Sequence, residues 1–313
     1  MSAKITFTKR IKDELSLEKY PLEKQQGILS GFIRYSGALS LLPEKVLKMS
    51  SSSAPIAKCI FNCLKSVYHV QPTLSYTKEL RLQKSFIYHI EVRSKVDEIL
   101  EDLEIEKDLA PLNPKKYMTE KYFRWFIIGT FLASGQVSDP KSGRYFAELV
   151  FNREEEAKMA LKKITSYKDE NTMEFKRIKR RNKYVLYLKK SDQISMFLSF
   201  LGAVGMMMDF EGSRLERDYF NNENRLTICE QANYSRALKT GERNIMDILT
   251  LEEKVGEVYF TDKTKAMAEL RKANKDASYQ ELSELAEAKG ISVTKSGVAH
   301  IFDKFSQDAK KFR

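Results

Sequence analysis

An α+β fold is expected from three observations. The order helix, strands, helix, two strands, helix occurs twice; three identical residues recur at one offset; and the C-terminal block is helical, with helix-turn-helix spacing. The first helix covers Leu22–Ser36, where Leu22, Gln26, Leu29, Ile33 and Tyr35 alternate with small residues and with Gly27, Gly31 and Gly37. These glycines thin one face. A short strand follows at Lys45–Met49, then the serine run Ser50–Ser53. Ser53 is positioned to cap a helix through Ala57, Ile60, Phe61, Leu64 and Val67, with Pro55 in its first turn. Strands at Thr73–Leu80 and Phe86–Val92 and a helix at Lys95–Leu103 complete the unit.

After the linker Ala110-Pro-Leu-Asn-Pro114 the order returns: a helix over Tyr122–Gly135, strands at Arg144–Phe151, a helix from Glu154 to Ser166, strands at Met173–Arg180 and Tyr184–Leu188, and a helix at Asp192–Leu201. Leu29-Ser-Gly31-Phe-Ile-Arg-Tyr-Ser36-Gly37 aligns with Ile127-Ile-Gly129-Thr-Phe-Leu-Ala-Ser134-Gly135, so Gly31/Gly129, Ser36/Ser134 and Gly37/Gly135 are each 98 residues apart. Identity at one offset, on helices of the same rank, indicates an internal duplication. Glycine lets one helix backbone approach another, so a pseudo-twofold domain joined along these two helices is expected.

From Glu211 to Leu249 the pattern weakens, and Glu230–Asp247 has helical spacing, which reads as a linker helix region. Beyond it lie three helices. The first runs about Lys263–Lys272. Ser278 caps the second with Glu281 as capping-box partner, and Lys289-Gly290-Ile-Ser292 turns into the third, Lys295–Asp308, which buries Val298, Ile301, Phe302 and Phe305. The expected division is 1–108, 115–210, a linker at 211–255, and a helix-turn-helix domain at 256–313.

Composition excludes several classes. The chain of 313 residues is 42% hydrophobic, enough to bury proper cores, which rules out a disordered tail protein. No run approaches eighteen apolar residues and the start lacks a signal-peptide core, so a cytoplasmic protein without a membrane partner is expected. Three cysteines, Cys59, Cys63 and Cys229, are too few for a disulfide framework. Cys59 and Cys63 share a helix side and read as small buried hydrophobes rather than a metal site. Met206-Met-Met208 reads as core or hinge packing. No Walker, Rossmann or serine-nucleophile motif is present, and no cofactor is expected.

The net charge of +11 points to a polyanion or to a lysine-rich background. Its location discriminates. Ile245–Arg313 carries twelve basic and twelve acidic residues, so the whole excess lies upstream. Lys176–Lys190 holds eight basic residues and no acid. With turn chemistry at Asn182-Lys183 it reads as a hairpin, whose Lys176, Arg177, Lys179, Arg180, Arg181 and Lys183 are candidates for phosphate contact; a solvated charged hairpin is the alternative. In the helix-turn-helix, Ser278, Thr294, Lys295, Ser296, Ala299, His300 and Lys304 are candidates for base and phosphate contact. The neutrality of that block, and Asp303 among the candidates, leave protein docking open.

The two glycine helices resemble the LAGLIDADG motif of homing endonucleases. In that family paired helices form the seam between two αββαββα halves, and the strands make a saddle over the DNA major groove. The resemblance implies a duplicated αββαββα LAGLIDADG-like domain. The eighth motif residue of each helix is there an acid that binds the catalytic metal. Here the corresponding residues are Ser36 and Ser134, Asp139 and Glu120 do not match the geometry, and a neutral hydroxyl cannot hold Mg²⁺ against phosphate repulsion. No metal and no catalysis are therefore expected, with a residual metal-dependent endonuclease as the alternative.

Arg181-Asn-Lys-Tyr-Val-Leu-Tyr-Leu188, Gln193-Ile, Gly202-Ala203, Asn224-Arg-Leu226, Cys229-Glu230, Ala232-Asn233 and Lys295-Ser-Gly-Val-Ala-His300 together resemble the WhiA family of bacterial DNA-binding regulators. Ala299, Ile301 and Asp303 depart from the polar or basic side chains expected in its third helix. The resemblance implies a non-catalytic LAGLIDADG-derived domain linked to a helix-turn-helix that reads double-stranded DNA. It further implies nucleoid association and a role in transcription, cell division and chromosome segregation, with control of sporulation septation in sporulating relatives. A cell-division scaffold whose helix-turn-helix binds another transcription or division protein is a further alternative.

Overall fold

A computed structural model describes residues 5–79, 85–108, 110–167 and 173–313, which divide into the units Met1–Arg217 and Asp218–Arg313. The first unit opens with a helix absent from the sequence reading, α1 (Phe7–Leu17). Thr6 caps it by accepting the Lys9 backbone N–H at 3.2 Å, and Phe7, Ile11 and Leu15 are buried at a spacing of one turn.

Two αββαββα halves follow. The first comprises α2 (Leu22–Ser36), β1 (Gly37–Ser40), β2 (Val46–Ser51), α3 (Ala54–Tyr68), β3 (Thr73–Glu79), β4 (Ser85–Val92) and α4 (Val96–Asp102). Leu80, expected at the end of β3, lies outside the described residues. A two-stranded ribbon, β5 (Glu106–Lys107) with β6 (Ala110–Pro111), forms the connection. The second half comprises α5 (Glu120–Ser134), β7 (Gln136–Val137), β8 (Ala147–Phe151), α6 (Glu154–Thr165), β9 (Lys176–Arg180), β10 (Lys183–Leu188) and α7 (Ser191–Leu201). The antiparallel sheets have the same order, β1-β2-β4-β3 and β7-β8-β10-β9, as a duplication requires.

Three local expectations are corrected. Gly135, expected to end the second-half helix, is not helical; it sits just past α5 with extended backbone (φ −75°), as Gly37 sits past α2 (φ −80°), because strand pairing begins there. Ser53 occupies the N-cap of α3, but its hydroxyl donates to Asp13 Oδ1 at 2.5 Å instead of accepting a helix amide. The hairpin turn is Arg181-Asn182, not Asn182-Lys183. Lys183 already pairs with Arg180, and Arg181 takes the left-handed conformation (φ 55°).

The core between helices and sheets is aromatic and aliphatic, with Phe32, Phe123, Phe126, Phe131, Phe151 and Phe197 fully enclosed. Cys59 and Cys63 are buried in it. Helix α8 spans Val204–Lys254, 51 residues, and starts well before the expected linker helix. No proline follows Pro140, so nothing in the chain breaks it. Met206 is buried and Met208 exposed within its first turns, so Met206 is a core residue.

In the second unit, α9 (Asp262–Ala273), α10 (Tyr279–Ala288) and α11 (Lys295–Ala309) enclose Met267, Leu282, Val298, Phe302 and Phe305, with Ile248 and Leu251 from the end of α8. Ile301, expected in this core, is only partly buried. Ser278 and Glu281 form a capping box at α10. Gly290 (φ 78°) ends α10: its N–H donates to the Glu287 carbonyl and the Ile291 N–H to that of Ala286, each at 2.9 Å.

Candidate nucleic-acid interface

The seam comes first, because it positions both sheets. Helices α2 and α5 run in the same direction and touch backbone to backbone. A Cβ added at Gly31 would lie 2.2 Å from the Phe126 carbonyl oxygen, and one at Gly129 would lie 2.1 Å from that of Ile28. Both distances are far inside contact, so these two positions require glycine. Gly27 packs against Trp125, 98 residues on, where an added Cβ would lie 2.7 Å from the Trp125 Cβ.

At the C-terminal ends of these helices the hydroxyls of Ser36 and Ser134 turn inward. Ser36 donates to the Phe32 carbonyl at 2.8 Å, and Ser134 to the carbonyls of Thr130 (3.1 Å) and Val150 (2.8 Å). Asp139 caps a short 3-10 turn by accepting the Lys141 N–H, and the Glu120 side chain is exposed. Among the described residues no group of three His, Cys, Asp or Glu side chains could hold a metal ion. Two neutral hydroxyls, both turned to backbone carbonyls, therefore do not fit the divalent cation of the nucleases.

A buried pair joins the halves, and sequence reasoning missed it. Arg34 on α2 meets Glu156 on α6 at 2.9 Å, with side chains only 5% and 1% exposed. Arg34 also donates to the carbonyls of Leu112 (2.8 Å) and Glu104, while the Tyr35 hydroxyl donates to Glu156 at 3.1 Å. Burial, reinforced by the Glu156 charge, pushes the Tyr35 phenol far above its ordinary value.

The basic hairpin is β9–β10, with β9 fully exposed at the sheet edge. Register sorts its charges by face. Phe151, Leu149 and Ala147 of β8 face the core and pair with Tyr184, Leu186 and Leu188 of β10; Lys179 and Arg177 oppose Tyr184 and Leu186 on that side. Lys176, Arg180 and Lys183 consequently stand on the open face. The expectation that the hairpin's charge is unopposed is corrected, because acids arrive from elements distant in sequence. Arg180 is held by both oxygens of Glu148 (3.0 and 3.2 Å), Arg177 by Glu154 (2.6 Å) and Lys190 by Glu174 (3.1 Å). Hydrogen bonds from Arg177 and Lys158 hold the Glu154 carboxyl at about 2. Lys183 donates to the Asn152 side-chain carbonyl at 2.6 Å, a neutral partner, and Lys179 lies 5.6 Å from the Tyr184 ring centroid. Lys176, Lys179, Arg181 and Lys183 have no carboxylate within ion-pair distance among the described residues.

The open face of the first sheet differs. It presents Ser40, Ser50, Thr73, Ser75, Thr77 and His89, with Lys48 set 3.8 Å from Glu91 and the Thr77 hydroxyl 2.9 Å from His89 Nε2. That face is polar and nearly neutral.

In the second unit the candidates divide by role. Ser278 and Thr294 are N-caps whose side-chain oxygens accept the N–H groups of Glu281 and Gly297, each at 3.2 Å. Lys295, Ser296, His300 and Lys304 are exposed on α11, and Ala299 is half-buried. Ser278 and Lys295 share an open groove with Glu281 and Glu284, so the surface there is of mixed sign. Sequence reasoning did not find Arg271, which is buried, donates to the Ala277 carbonyl at 2.7 Å and lies 5.3 and 5.6 Å from the Phe302 and Tyr279 ring centroids, fixing the α9–α10 turn.

Three family models match along the chain: the WhiA N-terminal LAGLIDADG-like domain at residues 23–106, the WhiA LAGLIDADG-like domain at 123–219, and the WhiA C-terminal HTH domain at 224–309. Relatives named probable cell division protein WhiA include one from Lactobacillus gasseri, 33% identical over 99% of each chain. Another, from Exiguobacterium sibiricum, is 34% identical over 99% of this chain and 97% of the relative. The crystal structure of full-length DUF199/WhiA from Thermatoga maritima matches with a TM-score of 0.57 at 22% identity, covering 97% of each chain, which is a likeness of fold. The coverage is end to end, and the chain belongs to the WhiA family.

Proposed function

We propose that this protein is a non-catalytic DNA-binding regulator of transcription that acts in cell division and chromosome segregation, cytoplasmic and nucleoid-associated. The observation that carries this reading is the open-face cation set of the second sheet. Lys176, Arg181 and Lys183 stand at an exposed edge hairpin with no carboxylate partner among the described residues, on or beside the open face of the sheet. The family's cell-division naming and the helix-turn-helix domain support the biological assignment. In this reading the duplicated domain grips phosphate, the helix-turn-helix supplies base contacts through Ser296, His300 and Lys304, and the parts divide as 1–108, 115–210, 211–255 and 256–313.

Fluorescence anisotropy of the intact chain on a labelled duplex, over a salt series, tests it. Salt-dependent binding without strand scission in Mg²⁺ is the expected result. Salt-independent binding, or Mg²⁺-dependent cleavage that persists through purification, refutes it. One observation favours a second reading for the helix-turn-helix: Glu281 and Glu284 line the groove beside Ser278 and Lys295. Like charge repels phosphate, so that groove suits a protein partner better than a DNA backbone. Chromatin immunoprecipitation with sequencing identifies the DNA target if the first reading holds.

A further inference from the structure

The serine run Ser50–Ser53 is not used by the DNA-binding reading, yet it borders a cavity of about 320 Å³ in the first unit. The cavity opens where α1 meets the C-terminal ends of α2 and α5 and the connection from β2 to α3. Its walls hold an excess of donors over acceptors. Lys9 and Lys12, one turn apart on α1, both line it, and neither has a carboxylate within ion-pair distance or an acceptor for its ammonium among the described residues. The carboxylate nearest in sequence, Asp13, accepts the Ser53 hydroxyl and lies beyond ion-pair distance of both ammonium groups.

The hydroxyls sort into spent and free. Thr8 donates to the Val137 carbonyl at 2.7 Å, Ser36 to that of Phe32 at 2.8 Å, and Ser53 to Asp13. Ser50, Ser51 and Ser52 donate to nothing among the described residues, although Ser51 accepts the Ser53 N–H at 3.2 Å. The first turn of α3 also borders the cavity and lacks a side-chain cap, so it contributes the positive end of a helix. Burial lowers the Lys12 amine to about 8, and at neutral pH it remains mostly a cation, with no counter-ion among the described residues.

Hydroxyl donors with no acceptor and ammonium groups with no carboxylate among the described residues, together with a helix start that lacks a side-chain cap, share one chemical complement: a tetrahedral oxyanion with several acceptor oxygens. We infer that this cavity binds a phosphate group, held by the ammonium groups of Lys9 and Lys12 and by the hydroxyls of Ser51 and Ser52, Ser50 being turned to the open face of the sheet. The phosphate comes either from a duplex backbone or from a free phosphate or nucleotide, and the site does not rest on the DNA-binding reading.

Calorimetric titration of the intact chain with inorganic phosphate and pyrophosphate, in chloride buffer, is the first arm; anisotropy on a labelled duplex is the second. The variants are Lys9→Gln with Lys12→Met, and Ser51→Ala with Ser52→Ala, each checked for folding by thermal melting. Saturable binding of phosphate or pyrophosphate that weakens about tenfold or more in the lysine pair, and several-fold in the serine pair, is expected. If duplex affinity falls in the same variants, the occupant is a backbone phosphate. If only the free anions are lost while duplex binding is unchanged, it is a small phosphate compound. Phosphate binding by a chain that ignores DNA overturns the proposed function and leaves the cavity site standing. Folded lysine and serine variants that bind both probes like the parent chain overturn the site, as does a parent chain that binds no anion and whose duplex affinity the variants leave intact.

Discussion

Replacing Lys176, Arg181 and Lys183 together by serine should flatten the salt dependence of duplex binding, by an amount fixed by the face on which each charge stands. All three lie on the open face or the turn of the β9–β10 hairpin, and none meets a carboxylate among the described residues. Each cation that neutralises a phosphate contributes about 0.9 to the slope of log affinity against log salt, so the triple variant should lose about 2.7 units. Between 50 and 200 mM salt the parent chain should then weaken about 40-fold more than the variant. The matched control replaces Arg177 and Lys179 by serine. Arg177 is tied to Glu154 at 2.6 Å and Lys179 leans over Tyr184 on the other face, so the slope should change by well under one unit. Anisotropy titrations at five salt concentrations measure both. An unchanged slope in the triple variant makes the hairpin a charged edge that only blocks strand-to-strand association. An equal or larger effect in the control refutes the sorting by face.

Three further outcomes follow from named contacts. Glu148→Gln frees Arg180 from its two carboxylate bonds on the open face, and should steepen the salt slope by about 0.9 and tighten binding at low salt. Gly129→Ala places a Cβ 2.1 Å from the Ile28 carbonyl, about 1.3 Å short of the 3.4 Å at which ordinary contact begins; forcing the helices apart should cost roughly 1–3 kcal/mol, seen as a lower midpoint in urea. Arg34→Met leaves Glu156 buried without its cation and should cost about 3–5 kcal/mol, whereas adding Glu156→Leu should recover much of that loss.

The features legible in the sequence are those carried by local pattern or by repetition. Gly31 and Gly129 announced the seam because a duplication repeats its tightest constraint at one offset, and the Ser278–Glu281 box announced α10 because both members lie within one turn. Helix α1 was legible in principle, since Thr6 with Phe7, Ile11 and Leu15 is a capped apolar stripe, but its short length and charged neighbours gave little contrast. What could not be read is long-range pairing. Glu148 and Glu154 lie 32 and 23 residues from the cations they neutralise, so a run that looks unopposed along the chain is partly compensated in space. The Arg34–Glu156 pair spans 122 residues and carries no periodicity at all. The basic run was accordingly legible as a hairpin, while the division of its charges into free and paired required the register.

Lys12 shows how a binding residue can oppose stability. Its amine, lowered to about 8 by burial, titrates below its unfolded value near 10.4, so between those two pH values the unfolded chain holds the extra proton. Stability of the parent chain should therefore rise as pH climbs from about 8 to about 10.4, and below that window the full penalty of enclosing an unpaired cation applies. Lys12→Met removes the charge at nearly constant volume. At pH 7 it should stabilise the first unit by about 1–3 kcal/mol, less the contact of the ammonium with the Phe131 ring 5.7 Å away, and the gain should vanish near pH 10.4. Thermal melting across pH measures this, and a variant that melts lower than the parent at pH 7 refutes it. Added phosphate should raise the melting temperature of the parent by mass action and leave Lys12→Met much less affected. A lysine retained only for packing would show the reverse stability change and no phosphate response, so the opposite signs of the two effects separate a binding group from a structural one.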